Sequence, residues 1–198
     1  MALNNNHLAN YWMHNGHINV DGEKMSKSLG NFILAKDFIK LHEPNIIKIA
    51  LFKTHYRLPL NFTDELFNEA KTIDDKIKNV LKQANIYLNI NDKELITNIK
   101  DDTFISYMND DFNTPNVISY LLELIKNLNN EIRNNGHNII DLASKIITIS
   151  NILGLKYELI KWDHEDIENY NKWQEYRKDK NFEQADIYRN KLTMKNIL

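Results

Sequence analysis

Seven apolar residues, Leu66, Ala70, Ile73, Ile77, Val80, Leu81 and Ala84, follow Thr63 at helical intervals with no glycine or proline among them. That spacing returns every one of them to a single face of an α-helix, with Lys71, Lys78 and Lys82 off the stripe. Thr63 provides the hydroxyl cap that such a helix needs at its start. A stripe this long cannot be buried by the helix that carries it. It demands partner helices, and this demand constrains the fold more than any other feature of the chain.

Further along, the same period recurs. One helix is expected from Lys93 to Met108. Another opens with Thr114 as cap and Pro115 as first helical residue, turns Ile118, Leu121, Leu122, Ile125, Leu128 and Ile132 inward, and stops at Asn134-Asn135-Gly136. A third runs from Ile139 through Ala143, Ile146, Ile147 and Ser150 to Leu153, ending near Gly154. With the first stripe these make four amphipathic helices joined by short connections, an antiparallel bundle over residues 63–165. Residues 166–198 read as the start of a carboxyl-terminal helical hairpin, with Asn181 and Gln184 resembling a capping box between its helices. Trp12, Trp162 and Trp173 are expected to pack in cores. Asp110-Asp111 is expected to shape a turn and a helix cap.

Residues 1–62 differ. Strand character is confined to 11–34, where His17-Ile18-Asn19-Val20 alternates polar and apolar and Asp21-Gly22 is a tight-turn dipeptide. A short helix follows over Ala35 to Leu41, and Pro44 opens another through Phe52. Pro59-Leu60-Asn61-Phe62 closes the module. The fold class is therefore mainly α: a short β and loop segment, a helical bundle and a helical hairpin.

Zero cysteines exclude disulfides and thiolate metal sites within this span and fit a reducing compartment. Met1 to Asn10 lacks the features of a secretory signal and no apolar run reaches membrane-spanning length, so a soluble, cytoplasmic chain is expected, with no membrane partner. The net charge of −2 conceals an uneven distribution. Residues 1–60 carry seven Lys/Arg against four Asp/Glu, residues 61–171 eleven against nineteen, and residues 172–198 seven against four. Basic ends suit phosphate partners, while the acidic middle repels them. Arg177, Lys178, Lys180 and Arg189 concentrate that charge in the terminal hairpin.

Within the first module, Lys24-Met25-Ser26-Lys27-Ser28 leads into Leu29-Gly30-Asn31. Two ammonium groups and two hydroxyls on a short loop closed by glycine suit a segment that folds over a triphosphate and neutralises a departing pyrophosphate. Seven histidines are present, with His14 and His17 three apart, but none forms a helical metal pair, and no metal site is expected in this span.

The five residues 24–28 match the KMSKS signature of class I aminoacyl-tRNA synthetases. Their flanks, Tyr11-Trp12-Met13-His14-Asn15-Gly16 with Val20-Asp21 and Glu23, resemble the same stretch of cysteinyl-tRNA synthetases. So do His55-Tyr56-Arg57 with Leu60-Asn61-Phe62, Met108-Asn109-Asp110-Asp111-Phe112-Asn113-Thr114-Pro115, and Arg177, Lys180, Phe182, Ala185-Asp186, Arg189 and Leu192. The resemblance implies ATP with magnesium, L-cysteine and the cysteine tRNA as substrates, and a monomer. It implies Lys27 as the main cation at the leaving phosphates and Lys24 as its support. Met25, Ser26 and Ser28 complete the ATP-binding loop, and Arg177, Lys178, Lys180 and Arg189 face tRNA. His14 and His55 fall in matched blocks and receive no role.

The family's HIGH-type motif has no counterpart here, since His14-Asn15-Gly16-His17 sits just upstream of the lysine loop rather than in a strand-to-helix turn. The family's zinc ligands, cysteines with a His and a Glu, are expected before this region. The chain is accordingly expected to be the carboxyl-terminal portion of a longer enzyme, inactive alone, with its zinc site elsewhere. Two other functions fit the same residues: a non-catalytic helical tRNA-binding module, or a cysteine-activating ligase acting on a small-molecule amine. The long helical region and the basic hairpin favour tRNA over an amine.

Overall fold

The computed structural model describes residues 9–198 apart from 27, 29, 32, 33 and 98. Among the described residues three short strands form one sheet, β1 (Ile18–Val20), β2 (Glu23–Lys24) and β3 (Leu60–Phe62), in the order β2-β1-β3. The β1–β2 pair is antiparallel and pivots on Asp21-Gly22, both at positive φ (50° and 85°), the backbone required of a two-residue hairpin turn. The Asn61 carboxamide oxygen accepts from the Gly22 amide at 2.9 Å, so β3 also secures the turn. Strand β3 lies parallel to β1, with Ile18 opposite Leu60 and Val20 opposite Phe62. This strand lies outside residues 11–34, to which strand character was expected to be confined, and corrects that expectation. Three residues carry no period, and their pairing with a segment some forty positions away leaves no local trace.

Among the described residues there are eight helices, two between β2 and β3 and six after β3: α1 (Ala35–Leu41), α2 (Pro44–Phe52), α3 (Asp64–Ile90), α4 (Asp102–Asn109), α5 (Thr114–Arg133), α6 (Ile139–Ile152), α7 (His164–Lys178) and α8 (Phe182–Met194). Helix α3 is the spine. The Thr63 hydroxyl accepts from the Leu66 amide at 3.2 Å, Asp64 and Glu65 complement the helix dipole, and 27 residues give a rod of roughly 40 Å. Its buried stripe, including Ala70, Ile77, Val80, Leu81 and Ala84, meets Ile49 and Ala50 of α2, Val117, Leu121 and Leu128 of α5, and Ile146 and Ile149 of α6 in one continuous core. The fourth principal bundle member is therefore α2, while α4 is a short brace against α5.

That brace departs from the helix expected over Lys93–Met108. Residues 93–97 and 99–101 are not helical, although Leu95, Ile96 and Ile99 fall at helical spacing. The Ile96 amide instead donates to the Ser144 hydroxyl of α6 at 2.9 Å. Asp101 then starts α4 by accepting from the Phe104 amide at 2.8 Å, and its other oxygen takes the Tyr120 hydroxyl of α5 at 2.9 Å. A side chain that caps one helix and binds the next sets this boundary more strongly than propensity does. The cap of α5 is Asn113 rather than Thr114, its side chain accepting from the Asn116 amide.

Asp74 of α3 is fully buried, one oxygen taking two hydrogen bonds and the other held by an ion pair alone. It accepts from the Tyr157 hydroxyl at 2.7 Å and from Asn45 of α2 at 3.3 Å, and pairs with Lys78 at 2.7 Å. Burial first, and then the Asp74 hydrogen bond, push the Tyr157 phenol up, so it remains a donor throughout the ordinary pH range.

Helices α7 and α8 form the terminal hairpin. A second apolar cluster, Trp162, Leu192 and Ile197 with Ile86, Tyr170 and Trp173 against them, seats it on the far end of α3. The hairpin begins at Asp163 rather than near Asp166. The reciprocal capping box joins these two acids, while Asn181 caps α8 by accepting from the Gln184 amide. Lys195 closes the hairpin on both carboxylates. Trp162 is buried and Trp173 packs beside it, as expected, but Trp12 is 64% exposed. Among the described residues no helix is long and apolar enough to cross a membrane.

Candidate active site and nucleic-acid interface

Strand β2 ends at Lys24, so the lysine loop springs directly from the hairpin. The Met25 amide donates to the Ile18 carbonyl at 3.2 Å, which fixes the loop's first residue to β1. Asn31 brackets the base of the loop. Its side-chain oxygen accepts from the Ser26 amide at 2.9 Å, and its side-chain nitrogen donates to the Lys24 carbonyl at 3.3 Å. The Ser26 and Ser28 hydroxyls lie 3.1 Å apart. Gly30 sits at φ 70° with open space where a Cβ would be, so backbone angle rather than crowding requires glycine there. Lys24 and Ser28 are exposed, and Met25 and Ser26 are half-buried. Lys27 lies outside the described residues.

Asn31 stood next to the recognised signature, yet no role for it could be read from the letters. A carboxamide that accepts at one end and donates at the other can tie two backbone points of one loop, and that pairing emerges only in three dimensions.

The second constellation was missed. Arg57 donates to Asp111 through Nε at 2.6 Å and Nη2 at 3.2 Å, and the Tyr56 hydroxyl donates to Asp111 Oδ1 at 2.7 Å. His55 Nε2 lies 3.0 Å from the Asp111 carbonyl. The guanidinium first, then the phenol, hold the Asp111 carboxyl down at about 2, and the same carboxylate raises Arg57 and Tyr56. Asp111 does shape the turn expected of Asp110-Asp111, standing with Phe112 at φ 50° and 55°. What the sequence could not show is that it also reaches back to residues 55–57. His14 and His17 are exposed. Among the described residues no group of three His, Asp or Glu converges as metal ligands, and without a cysteine the chain offers zinc no thiolate. The implied zinc does not fit this span.

Arg177 and Arg189, from opposite arms of the terminal hairpin, line one groove of about 670 Å³ together with Lys82 and Asn79 of α3. The Arg177 guanidinium lies 4.8 Å from the Trp173 ring centroid, and Phe182 at the lip is 64% exposed. Cations beside exposed aromatic faces suit a phosphate-and-base surface. Lys178 closes α7, and Lys180 occupies the turn to α8 at φ 57°; both are exposed and stand outside the groove lining.

Comparison with known proteins places the chain. Residues 1–72 match the family model for the tRNA synthetases class I (C) catalytic domain, and residues 103–158 match that for the DALR domain. Over its whole length the chain is 39% identical to cysteine–tRNA ligases of Acholeplasma laidlawii, Mycoplasma mycoides subsp. mycoides SC and Oceanobacillus iheyensis, of which it covers 45%, 46% and 45%. It thus spans a little under half the length of the curated relatives it matches.

Proposed function

Because this chain belongs to the cysteine–tRNA ligase family, we propose that it supplies the ATP-closing lysine loop and the tRNA-side helices of such a ligase. The observation that carries this reading is the lysine loop, rooted in a hairpin, exposed at Lys24 and Ser28 and held at its base by Asn31. ATP with magnesium, L-cysteine and the cysteine tRNA are the substrates, and the enzyme acts in the cytoplasm as a monomer. Residues 1–62 end the catalytic domain and lend α2 to the bundle core, residues 63–162 complete the tRNA-side bundle, and residues 163–198 form the terminal hairpin.

The chemistry is displacement at the α-phosphorus of ATP by the cysteine carboxylate. A P–O bond forms to the carboxylate oxygen as the bond to the bridging oxygen breaks, and that electron pair leaves with pyrophosphate. The adenylate is then attacked by a terminal ribose hydroxyl of tRNA, releasing AMP. Negative charge gathers on the leaving phosphates, so a cation that meets them in the transition state accelerates the step more than one that binds ATP equally throughout. Lys27 carries that cation. Lys24 supports the loop from β2, Met25 anchors its backbone, and Ser26 and Ser28 offer hydroxyl donors. Arg177, Lys178, Lys180 and Arg189 meet tRNA phosphates from the far end of the molecule.

Lys27→Ala in the complete gene product tests the reading. Losing a preorganised donor of this kind costs about 3–4 kcal/mol, a fall of at least roughly a hundredfold in cysteine-dependent ATP–pyrophosphate exchange. Circular dichroism and melting stay unchanged. Exchange within a few fold of wild type would reject this role for the lysine.

A further inference from the structure

We propose that Asp111 is a positioning residue, a clamp that keeps the lysine-bearing hairpin in register with the helical bundle. The path is continuous from the lysine loop to the bundle. Met25 hangs from β1 through the Ile18 carbonyl, and β1 pairs with β3. The segment before β1 is tied to the loop before β3: the Gly16 amide donates to the Tyr56 carbonyl at 2.8 Å, and the Leu60 amide to the His17 carbonyl at 2.9 Å. The approach at Gly16 is so close that a Cβ would stand 2.1 Å from the Leu58 carbonyl oxygen, so only glycine lets the two segments meet. From that loop Tyr56 and Arg57 reach Asp111, and two residues later Asn113 caps α5, whose Leu121 and Leu128 lie in the bundle core.

The clamp is not there for stability. Arg57 and Asp111 are 60% and 44% exposed, and exposed pairs add little. Even so, three consecutive side chains converge on one acidic residue that holds, with its neighbour, an unusual left-handed backbone. Strain held by several contacts at one point marks a place where geometry matters more than energy. Its functional consequence rests on the ligase reading, because a lysine that must meet the leaving phosphates tolerates little displacement. The mechanical coupling rests on the contacts alone.

Two measurements separate these layers. In the 198-residue chain, Asp111→Ala and Arg57→Gln are expected to speed amide hydrogen exchange about tenfold at Gly16, Asp21, Met25 and Leu60, with the bundle amides of Val80, Leu121 and Ile146 unchanged. Asp102→Asn, which removes an exposed pair with Lys100 and bridges no two parts of this path, is the control. Unchanged exchange in the hairpin, or equal acceleration everywhere, overturns the proposal. Arg57→Gln alters only an exposed side chain and decides the matter should Asp111→Ala fail to fold.

In the complete gene product the same variants are expected to lower kcat of ATP–pyrophosphate exchange about tenfold while KM for ATP moves less than about twofold. A purely stabilising role would not produce that division. If the wild type shows no cysteine-dependent exchange, the ligase reading fails while the hydrogen-exchange result still judges the clamp. If Lys27→Ala abolishes exchange and the clamp variants leave it intact, the reading stands and the positioning role is overturned.

Discussion

At the scale of single residues, electrostatic partners rather than side-chain type decide behaviour. Asp111 is a surface carboxyl, yet the Arg57 fork and the Tyr56 phenol lower it from 3.8 to about 2. A folded-state value below the unfolded one means that its contribution is fully present above about pH 4. It is lost as pH falls through about 2. Carboxyl chemical shifts followed by NMR are expected to show a midpoint near 2 for Asp111, rising toward 3.8 in Arg57→Gln; a wild-type midpoint near 3.8 would contradict the clamp geometry. Tyr157 gives the buried counterpart. Tyr157→Phe keeps the ring but removes the hydroxyl donated to fully buried Asp74, and denaturant unfolding is expected to show a loss of about 2 kcal/mol. Lys78 and Asn45 remain to satisfy Asp74, which holds the loss below that of leaving a buried charge unpaired.

At the scale of elements, legibility followed range. Helices α1, α2, α3, α5 and α6 could be read from the letters because their evidence is local: a 3.6-residue period, Pro44 near a helix start, Gly154 just past a helix end. The lysine loop could be singled out from the letters because its five residues are consecutive, although Lys27 lies outside the described residues. What escaped was settled at a distance. Strand β3 exists because β1 pairs with it, residues 93–97 are not helical although a helix was expected from Lys93, and the Arg57–Asp111 pair joins residues 54 apart in sequence. Asp101 shows how one contact of this kind overrides propensity, and it carries a prediction. Asp101→Ala removes both the α4 cap and the acceptor for Tyr120, and should cost about 2–3 kcal/mol. Thr63→Ala removes only a cap and should cost about 1 kcal/mol. Parallel urea unfolding curves would test that order, and a larger loss for Thr63→Ala would refute the double role of Asp101. The Tyr120 phenol, pushed up to about 12 chiefly by burial and then by Asp101, should fall in Asp101→Ala yet stay above its ordinary value, because burial remains.

At the scale of the molecule, α3 joins two basic ends across an acidic middle. Its first half packs in the core that also holds α2, close to the lysine hairpin, and Ile86 near its far end holds the terminal hairpin. Phosphate contacts are therefore expected at the ends, and RNA attraction should be confined rather than spread over a chain of net charge −2. The groove formed by Arg177, Arg189 and Lys82 is where this becomes measurable. Fluorescence anisotropy of labelled cysteine tRNA with the 198-residue chain, from about 50 to 200 mM salt, should give a linear fall of log affinity with log salt. Arg177→Ala and Arg189→Ala should each weaken binding and reduce that slope by about one. Lys145→Ala lies in the acidic middle, where it pairs with Asp141, and should change neither quantity. Arg177 should carry the larger loss of the two, because its guanidinium is already held over Trp173 and little freedom remains to be given up on binding. Equal slopes for all three variants would mean that tRNA does not use this groove. The terminal hairpin would then be a solvated charged surface, and the search for tRNA contacts would turn to the basic first module beside the lysine loop.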